Sequence, residues 1–192
     1  SYFPHGLEPV SIWVTTEYHR AGRGGTGAAK TGGNYASSLL PQQEAYAQGC
    51  DQVCFLDDVS QKNIEELGGM NLMVVDADGT VRTPRLTGTI LEGCTRSAII
   101  RLLRDSGRNV VEETISLQGL LADIESGRVS EVFDCGTAAV VVPLGHLKGE
   151  GFDARIEGSE VTRQIHDRLT AIQTGRAEDP YGWMYQLVPP RS

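Results

Sequence analysis

Long apolar runs, basic clusters and paired cysteines are all missing from this sequence of 192 residues. No stretch approaches the roughly 20 apolar residues that a bilayer-spanning helix needs, so no membrane segment is expected. Lysines and arginines nowhere run together and the net charge is −8, which argues against a nucleic-acid surface. The cysteines Cys50, Cys54, Cys94 and Cys135 form no C-x-x-C pair. Spread through a chain of this size, they are expected to be reduced thiols in a cytoplasmic protein. His5, His19, His146 and His166 lack ligand spacing, so no metal site is expected. The first residues, Ser1 to Gly6, have neither a basic nor an apolar signal-peptide region. No initiator methionine stands at position 1, as in a processed chain or a piece of a longer one.

Glycine, by contrast, is plentiful at 23 residues, and it concentrates in Gly24 to Asn34, which reads G-G-T-G-A-A-K-T-G-G-N. Such a segment lets backbone approach a bound group closely. Its single lysine, Lys30, has two chemistries open to it: a phosphate counter-charge, or an amine that bonds a carbonyl cofactor. Gly24 to Thr31 falls one letter short of the phosphate-loop pattern G-x-x-x-x-G-K-S/T, with Ala29 where glycine is needed. Leu72 to Asp76 even resembles the apolar strand and aspartate of a nucleotide site. Against this, Gly32-Gly33 are poor helix formers right after the lysine, and Asp76-Ala77-Asp78-Gly79 reads as a plain turn.

Around that stretch the sequence predicts an α/β (α+β) domain with much antiparallel sheet. Strands are expected at Ser11–Thr15, Gln52–Leu56, Asn71–Val75, Val110–Ile115, Val132–Phe133 and Ala138–Val142. Asp78-Gly79 predicts a hairpin turn into Val81-Arg82, and a second hairpin is expected around Lys148–Gly151. Asn34 is expected to cap a helix running to about Gln48, with Pro41 either kinking it or marking a late start. Thr95–Ser106 gives the clearest helix, stopped by Gly107. Ser116 caps a short helix through Leu120, Leu121 and Ile124. Glu160–Gln173 carries an inner stripe of Val161, Ile165, Leu169 and Ile172. The tail from Gly175, ending in Pro189-Pro190, is expected to be loosely held.

Five segments in order point further: Gly27–Ala36 around Lys30; Glu65-Glu66-Leu67-Gly68-Gly69-Met70-Asn71; Leu91-Glu92-Gly93-Cys94-Thr95-Arg96; Glu131–Ala138; and Ile172–Gly175 with Gly182-Trp183. Together they resemble the class IV aminotransferases, specifically the bacterial branched-chain amino acid aminotransferases, from about residue 2 to about residue 184. The resemblance implies a fold-type-IV scaffold, the large domain of a D-amino acid aminotransferase-like fold with a mixed pseudo-barrel sheet, and pyridoxal 5′-phosphate (PLP) as cofactor. It implies transfer of the amino group of leucine, isoleucine or valine to 2-oxoglutarate, so the partners are amino-acid and 2-oxo-acid substrates, in a homodimer.

Each site residue has an implied role and a plainer alternative. Lys30 would bond the cofactor and then move a proton at the substrate α-carbon, its amine kept partly neutral by burial; alone, it would be a solvated loop lysine. Glu66, with Glu65 as fallback, would hold the cofactor's ring nitrogen protonated; either alone would be a surface carboxylate. Tyr35 would hydrogen-bond the ring oxygen, or pack in the core. Cys94 and Thr95 would grip the phosphate through main-chain N–H groups at a helix start, although the Cys94 side chain also reads as a buried inert thiol. Thr137 would add a hydroxyl to the phosphate, and Thr137 and Ala138 would offer N–H groups to the substrate carboxylate, against an ordinary Gly-Thr turn. Arg20 would lie near the phosphate, or be a surface arginine.

Two departures follow. Vertebrate relatives carry a C-x-x-C pair where Ala139 and Val142 stand, so that thiol switch is not expected. Family members also carry an N-terminal small domain ahead of residue 1, so residues 1–192 are expected to be the C-terminal large domain without its lid, exposing apolar surface and favouring association. The related alternatives are D-amino acid aminotransferase and aminodeoxychorismate lyase; the unrelated ones are a phosphate-loop nucleotide binder and a folded, inactive oligomerising domain.

Overall fold

A computed structural model describes residues 7–187. Strand β1 (Val10–Thr15) leads through the glycine-rich loop into helices α1 (Gly32–Ser37) and α2 (Leu39–Ala47), and the chain returns as β2 (Gln52–Leu56), parallel to β1. β3 (Asn63–Leu67), β4 (Met70–Asp76) and β5 (Val81–Pro84) follow as an antiparallel meander. After α3 (Cys94–Asp105) come β6 (Val110–Glu113), β7 (Ile115–Ser116) and α4 (Leu117–Glu125). β8 (Val129–Gly136), β9 (Val140–Gly149) and β10 (Phe152–Arg155) form hairpins, and α5 (Glu160–Gln173) is the last helix.

The strands make one mixed sheet that closes on itself. β4, β8, β9, β1, β2 and β3 pair in that order, and β3 pairs back to β4, giving a ring of 6 strands. Closure removes the free edges of these strands. Inside lies an apolar core of Ile12, Cys54, Leu67, Leu72, Val132 and Leu144, packed with Leu120 of α4. The outer face of β4, β8 and β9 is covered by α3 and α5, where Met73, Phe133 and Val141 meet Ile99, Leu103, Leu169 and Ile172. Burial on both faces explains why β4 is an unbroken buried run rather than an alternating one. Each fully buried aliphatic side chain contributes about 1.5–3 kcal/mol relative to exposure.

Most expected elements are found, and the differences have local causes. The helix expected through Gln48 is two helices that break at Ser38; Pro41 sits in the first turn of α2, where its missing N–H would have had no partner. Thr31, not Asn34, precedes α1, and Gly32-Gly33 open that helix after all, so their low propensity did not decide the matter. The strand expected through Ile115 divides at Thr114, because β6 pairs with β5 while β7 pairs with β3. β3 was not foreseen: its sequence Asn-Ile-Glu-Glu-Leu carries two adjacent carboxylates, yet four of its positions are buried. The segment after Gly175 is held as far as Met184, beyond which Tyr185 and Leu187 are exposed. Tyr181 and Trp183 stack with centroids 4.2 Å apart, Arg101 lies 4.8 Å over Tyr181, and Asp179 accepts from Met184 N–H at 2.7 Å. Pro189-Pro190 and His5 lie outside the described residues. No helix among them is long and apolar enough to cross a membrane.

One buried group opposes the fold. Asp134 on β8 stands between Leu72 and Val142 in the register, is fully buried, and neither carboxylate oxygen has a partner among the described residues. Burial raises its carboxyl well above the ordinary value. Its native pKa exceeds the unfolded one, so its contribution is most favourable below the unfolded value and is lost as pH rises through the native value. Asp134→Ala is therefore expected to raise urea-unfolding stability at pH 8 by about 1–3 kcal/mol, with the gain shrinking toward pH 5. A gain that does not change with pH would contradict this account.

Candidate active site

Lys30 sits on the loop between β1 and α1, held by an inner frame of side chains. Asn34, buried in α1, donates its Nδ2 to the carbonyls of Thr26 and Ala29, both at 2.9 Å, and accepts from Thr26 Oγ1 at 2.9 Å. These bonds fold the loop back so that its chain tip, with Lys30, is exposed. Burial, the expected means of keeping the lysine amine partly neutral, is thus not present in this chain. Gly27 is buried and packs against the Thr89 backbone so closely that a Cβ there would overlap it. The glycine is needed for contact with a second segment as well as for loop freedom.

That second segment, Thr87 to Leu91, carries the partners of two carboxylates. The β2–β3 register slips between Phe55 and Leu56, leaving Glu65 as an extra residue beside Glu66. Such a bulge lets neighbouring side chains serve one side of a strand. Glu65 accepts from Thr87 Oγ1 at 3.3 Å and from Thr89 Oγ1. Glu66 Oε2 accepts from Leu91 N–H at 3.0 Å and lies 2.9 Å from Arg20 Nη2. Among the described residues no hydrogen bond reaches Glu66 Oε1, so one oxygen stays available for a ligand. Burial pushes the Glu66 carboxyl up to about 7, against the opposing effects of Arg20, the Leu91 N–H and Lys30. Burial also raises Glu65, opposed by its two threonine hydroxyls.

A third feature is the start of α3. Gly93 precedes it at φ 72° and no side chain caps the helix. A Cβ on Gly93 would collide with Asn71 Oδ1, while Asn71 Nδ2 donates to Leu91 O at 2.9 Å. The first N–H groups of a helix have no partner within it, and here no acidic residue lies in the first turn. They face a cleft of about 720 Å³ lined by Gly93, Cys94, Thr95, Thr137, Trp183 and Met184, among others. Thr137 reaches it from the β8–β9 turn, which ends at Val140 with φ 63°. A β-branched residue in that region is strained, a cost that tends to persist at functional sites.

The predicted residues therefore fall into two groups. Cys94, Thr95 and Thr137 share the cleft; Cys94 is an exposed free thiol, not a buried one. Ala138 is exposed on the same turn as Thr137. Lys30, Glu66 and Arg20 form the other group. Arg20 is buried against Glu66 and does not line the cleft at the start of α3. Tyr35 is 39% exposed, so it is not a core aromatic. Asn34, Thr87 and Thr89 were missed as supports. The only sequence signal for them was threonine and asparagine near the two motifs, and it does not reveal partners far along the chain.

The model of the family described as amino-transferase class IV matches residues 2–147. The chain belongs to this family. Among curated relatives, the probable branched-chain-amino-acid aminotransferase of Streptomyces coelicolor is 50% identical over 191 residues, covering 98% of this chain and 52% of that protein. The branched-chain-amino-acid aminotransferase of Mycobacterium tuberculosis H37Rv is 47% identical over 193 residues, covering 97% and 52%. The crystal structure of Escherichia coli branched-chain amino acid aminotransferase superposes with TM-score 0.80 at 34% identity, covering 96% of this chain and 58% of that one. The branched-chain amino acid aminotransferase from Thermobaculum terrenum in its PLP-form gives TM-score 0.74 at 26% identity, covering 88% and 52%. The chain thus spans about half the length of the curated relatives it matches. The family match displaces the nucleotide-loop alternative, although the strand–glycine loop–helix order that pattern requires is present.

Gly93→Ala tests the helix-start geometry. The positive φ and the overlap with Asn71 are expected together to cost about 1–3 kcal/mol in chemical unfolding; an unchanged stability would show that the turn rearranges freely.

Proposed function

We propose that residues 1–192 form the PLP-binding large domain of a branched-chain aminotransferase, which exchanges the amino group of leucine, isoleucine or valine with 2-oxoglutarate. The observation that carries the reading is the pairing of an exposed loop lysine with a buried carboxylate that keeps one oxygen free. The fit to PLP is specific. Glu66 Oε1 can accept from a protonated ring nitrogen, and the uncapped start of α3 with Thr137 suits a phosphate. Lys30 is accessible to an aldehyde. When bound, PLP supplies an electron sink for negative charge at the substrate α-carbon.

The chain's residues do the rest. Glu66 keeps the ring nitrogen protonated. Cys94 and Thr95 bind phosphate through main-chain N–H groups, with the Thr137 hydroxyl beside them. Tyr35 orients the ring oxygen. Thr137 and Ala138 N–H groups hold the substrate carboxylate, and the Lys30 amine takes and returns the α-carbon proton. The substrate class rests on the names of the relatives. A small domain preceding residue 1 and a cytoplasmic, homodimeric enzyme complete the proposal; exposed Leu39, Leu40 and Tyr46 along α2 give a second copy an apolar face.

Incubation with PLP is expected to turn the protein yellow, and borohydride should then fix the cofactor on Lys30, as read by peptide mass. Lys30→Ala should stay colourless. An unmodified Lys30 in the wild type would refute PLP binding. In the longer enzyme, leucine should be transaminated in preference to D-alanine; the reverse would favour a D-amino acid aminotransferase. Leu39→Lys with Leu40→Lys should lower the sedimenting mass toward the monomer if α2 carries the dimer contact.

A further inference from the structure

Arg20 does not line the cleft at the start of α3, where the phosphate is proposed to bind. Its Nη2 donates to the carbonyls of Gly27, at 2.8 Å, and Thr89, and lies 2.9 Å from Glu66 Oε2. Both charged side chains are almost fully buried, at 6% and 2% exposure. Three segments meet at this one guanidinium: the Lys30 loop through Gly27, the 87–91 segment through Thr89, and β3 through Glu66. Thr89 is in turn held by its hydroxyl on Glu65, and Leu91 by its N–H on Glu66 and its carbonyl on Asn71.

We propose that Arg20 is a positioning residue, which holds Glu66 by Oε2 so that Oε1 stays free and locks the Lys30 loop in register with it, rather than a contact to the cofactor phosphate. The role in catalysis rests on the reading of Glu66 as the partner of the ring nitrogen. The ion pair itself stands on geometry. The titratable and charged groups acting on Glu66 are Arg20 and Lys30 from the segment after β1 and Glu65 on its own strand; Cys135 on β8 is a buried thiol that burial keeps neutral. Burial and Glu65 favour the neutral acid, and Arg20 is the largest opposing influence. Without it, two carboxyl groups would share a buried site, and one would hold its proton through neutral pH.

Carboxyl-carbon NMR of glutamate-labelled protein, with Glu66→Gln for assignment, reads this directly and needs no cofactor. Arg20→Gln is expected to raise the Glu66 midpoint by about one pH unit or more. Arg20→Lys, which keeps the charge, should hold it within about half that shift. An Arg20→Gln midpoint equal to the wild type would overturn the proposal. If Arg20→Gln does not fold, Glu65→Gln and Arg20→Gln with Glu65→Gln give the same comparison with one buried acid fewer. A second arm follows PLP binding by absorbance from pH 6 to pH 8.5. Arg20→Gln should weaken binding most at the acid end, whereas a uniform loss at every pH would mark a phosphate contact or a merely structural role and overturn the proposal. Wild-type protein that binds no PLP at any pH would refute the proposed function, while the NMR midpoint would still decide the role of Arg20.

Discussion

Closure of the strand ring is the constraint on which the rest depends. It is completed where β3 turns back onto β4, with Glu66 opposite Asn71 and Leu67 opposite Met70. That short pairing fixes more than the barrel. Asn71 also stands opposite Cys135 of β8, close in sequence to the turn that carries Thr137. One residue of β4 thus links the carboxylate strand, the strand of the Thr137 turn and, through Leu91 and Gly93, the start of α3. If the ring opened at this seam, the two halves of the site would lose their common reference.

The site divides its electrostatics between two kinds of group. At the Lys30 end, ionisable side chains meet: two buried carboxyl groups and one buried guanidinium, with an exposed amine on the loop beside them. Charges in such a setting shift one another's protonation strongly, because water screens them poorly. At the cleft end, the expected binding groups are peptide dipoles and a hydroxyl. Main-chain donors undergo no protonation change of their own when an anion arrives, so pH dependence at this end comes from the ligand and from ionisable side chains of the cleft such as Glu92, whereas the carboxylate half carries its own. This separation suits a cofactor that is anionic at one end and cationic at the other.

Much of this was legible in the sequence because it rests on local patterns. The α3 and α5 stripes, the Ser116 cap, which accepts from Gly119 N–H, and the Asp78-Gly79 turn all follow from spacing within a few residues. The ordered motifs around Lys30, Glu66, Cys94 and Thr137 pointed to the family. What stayed hidden depends on contacts between distant segments. β3 is polar by composition and is a strand only because β2 and β4 flank it. Asn34 looked like a cap because caps are the common use of asparagine before a helix, yet its amide is spent on the loop behind it. Arg20 could be given a neighbourhood by the motif order, but its partner, Glu66, is 46 positions away in the numbering. The unpaired Asp134 could not have been found at all, since alternation along β8 is masked by burial on both faces.

The extra residue at Glu65 carries a lesson about length rather than chemistry. Strand faces alternate residue by residue, so the identity of the side chain facing Arg20 is decided by counting from the ring closure. Exchanging Glu65 for another residue alters one set of threonine contacts. Removing it would erase the bulge: Leu56–Ile64 and Phe55–Glu66 would become consecutive regular pairs, the β4 seam would keep its register, and the second carboxylate beside Glu66 would be lost. Elsewhere along β3 a single added or removed residue would instead turn the strand's faces over. Tolerance of this strand to a change of length is therefore local, confined to the one position where the ladder is already irregular.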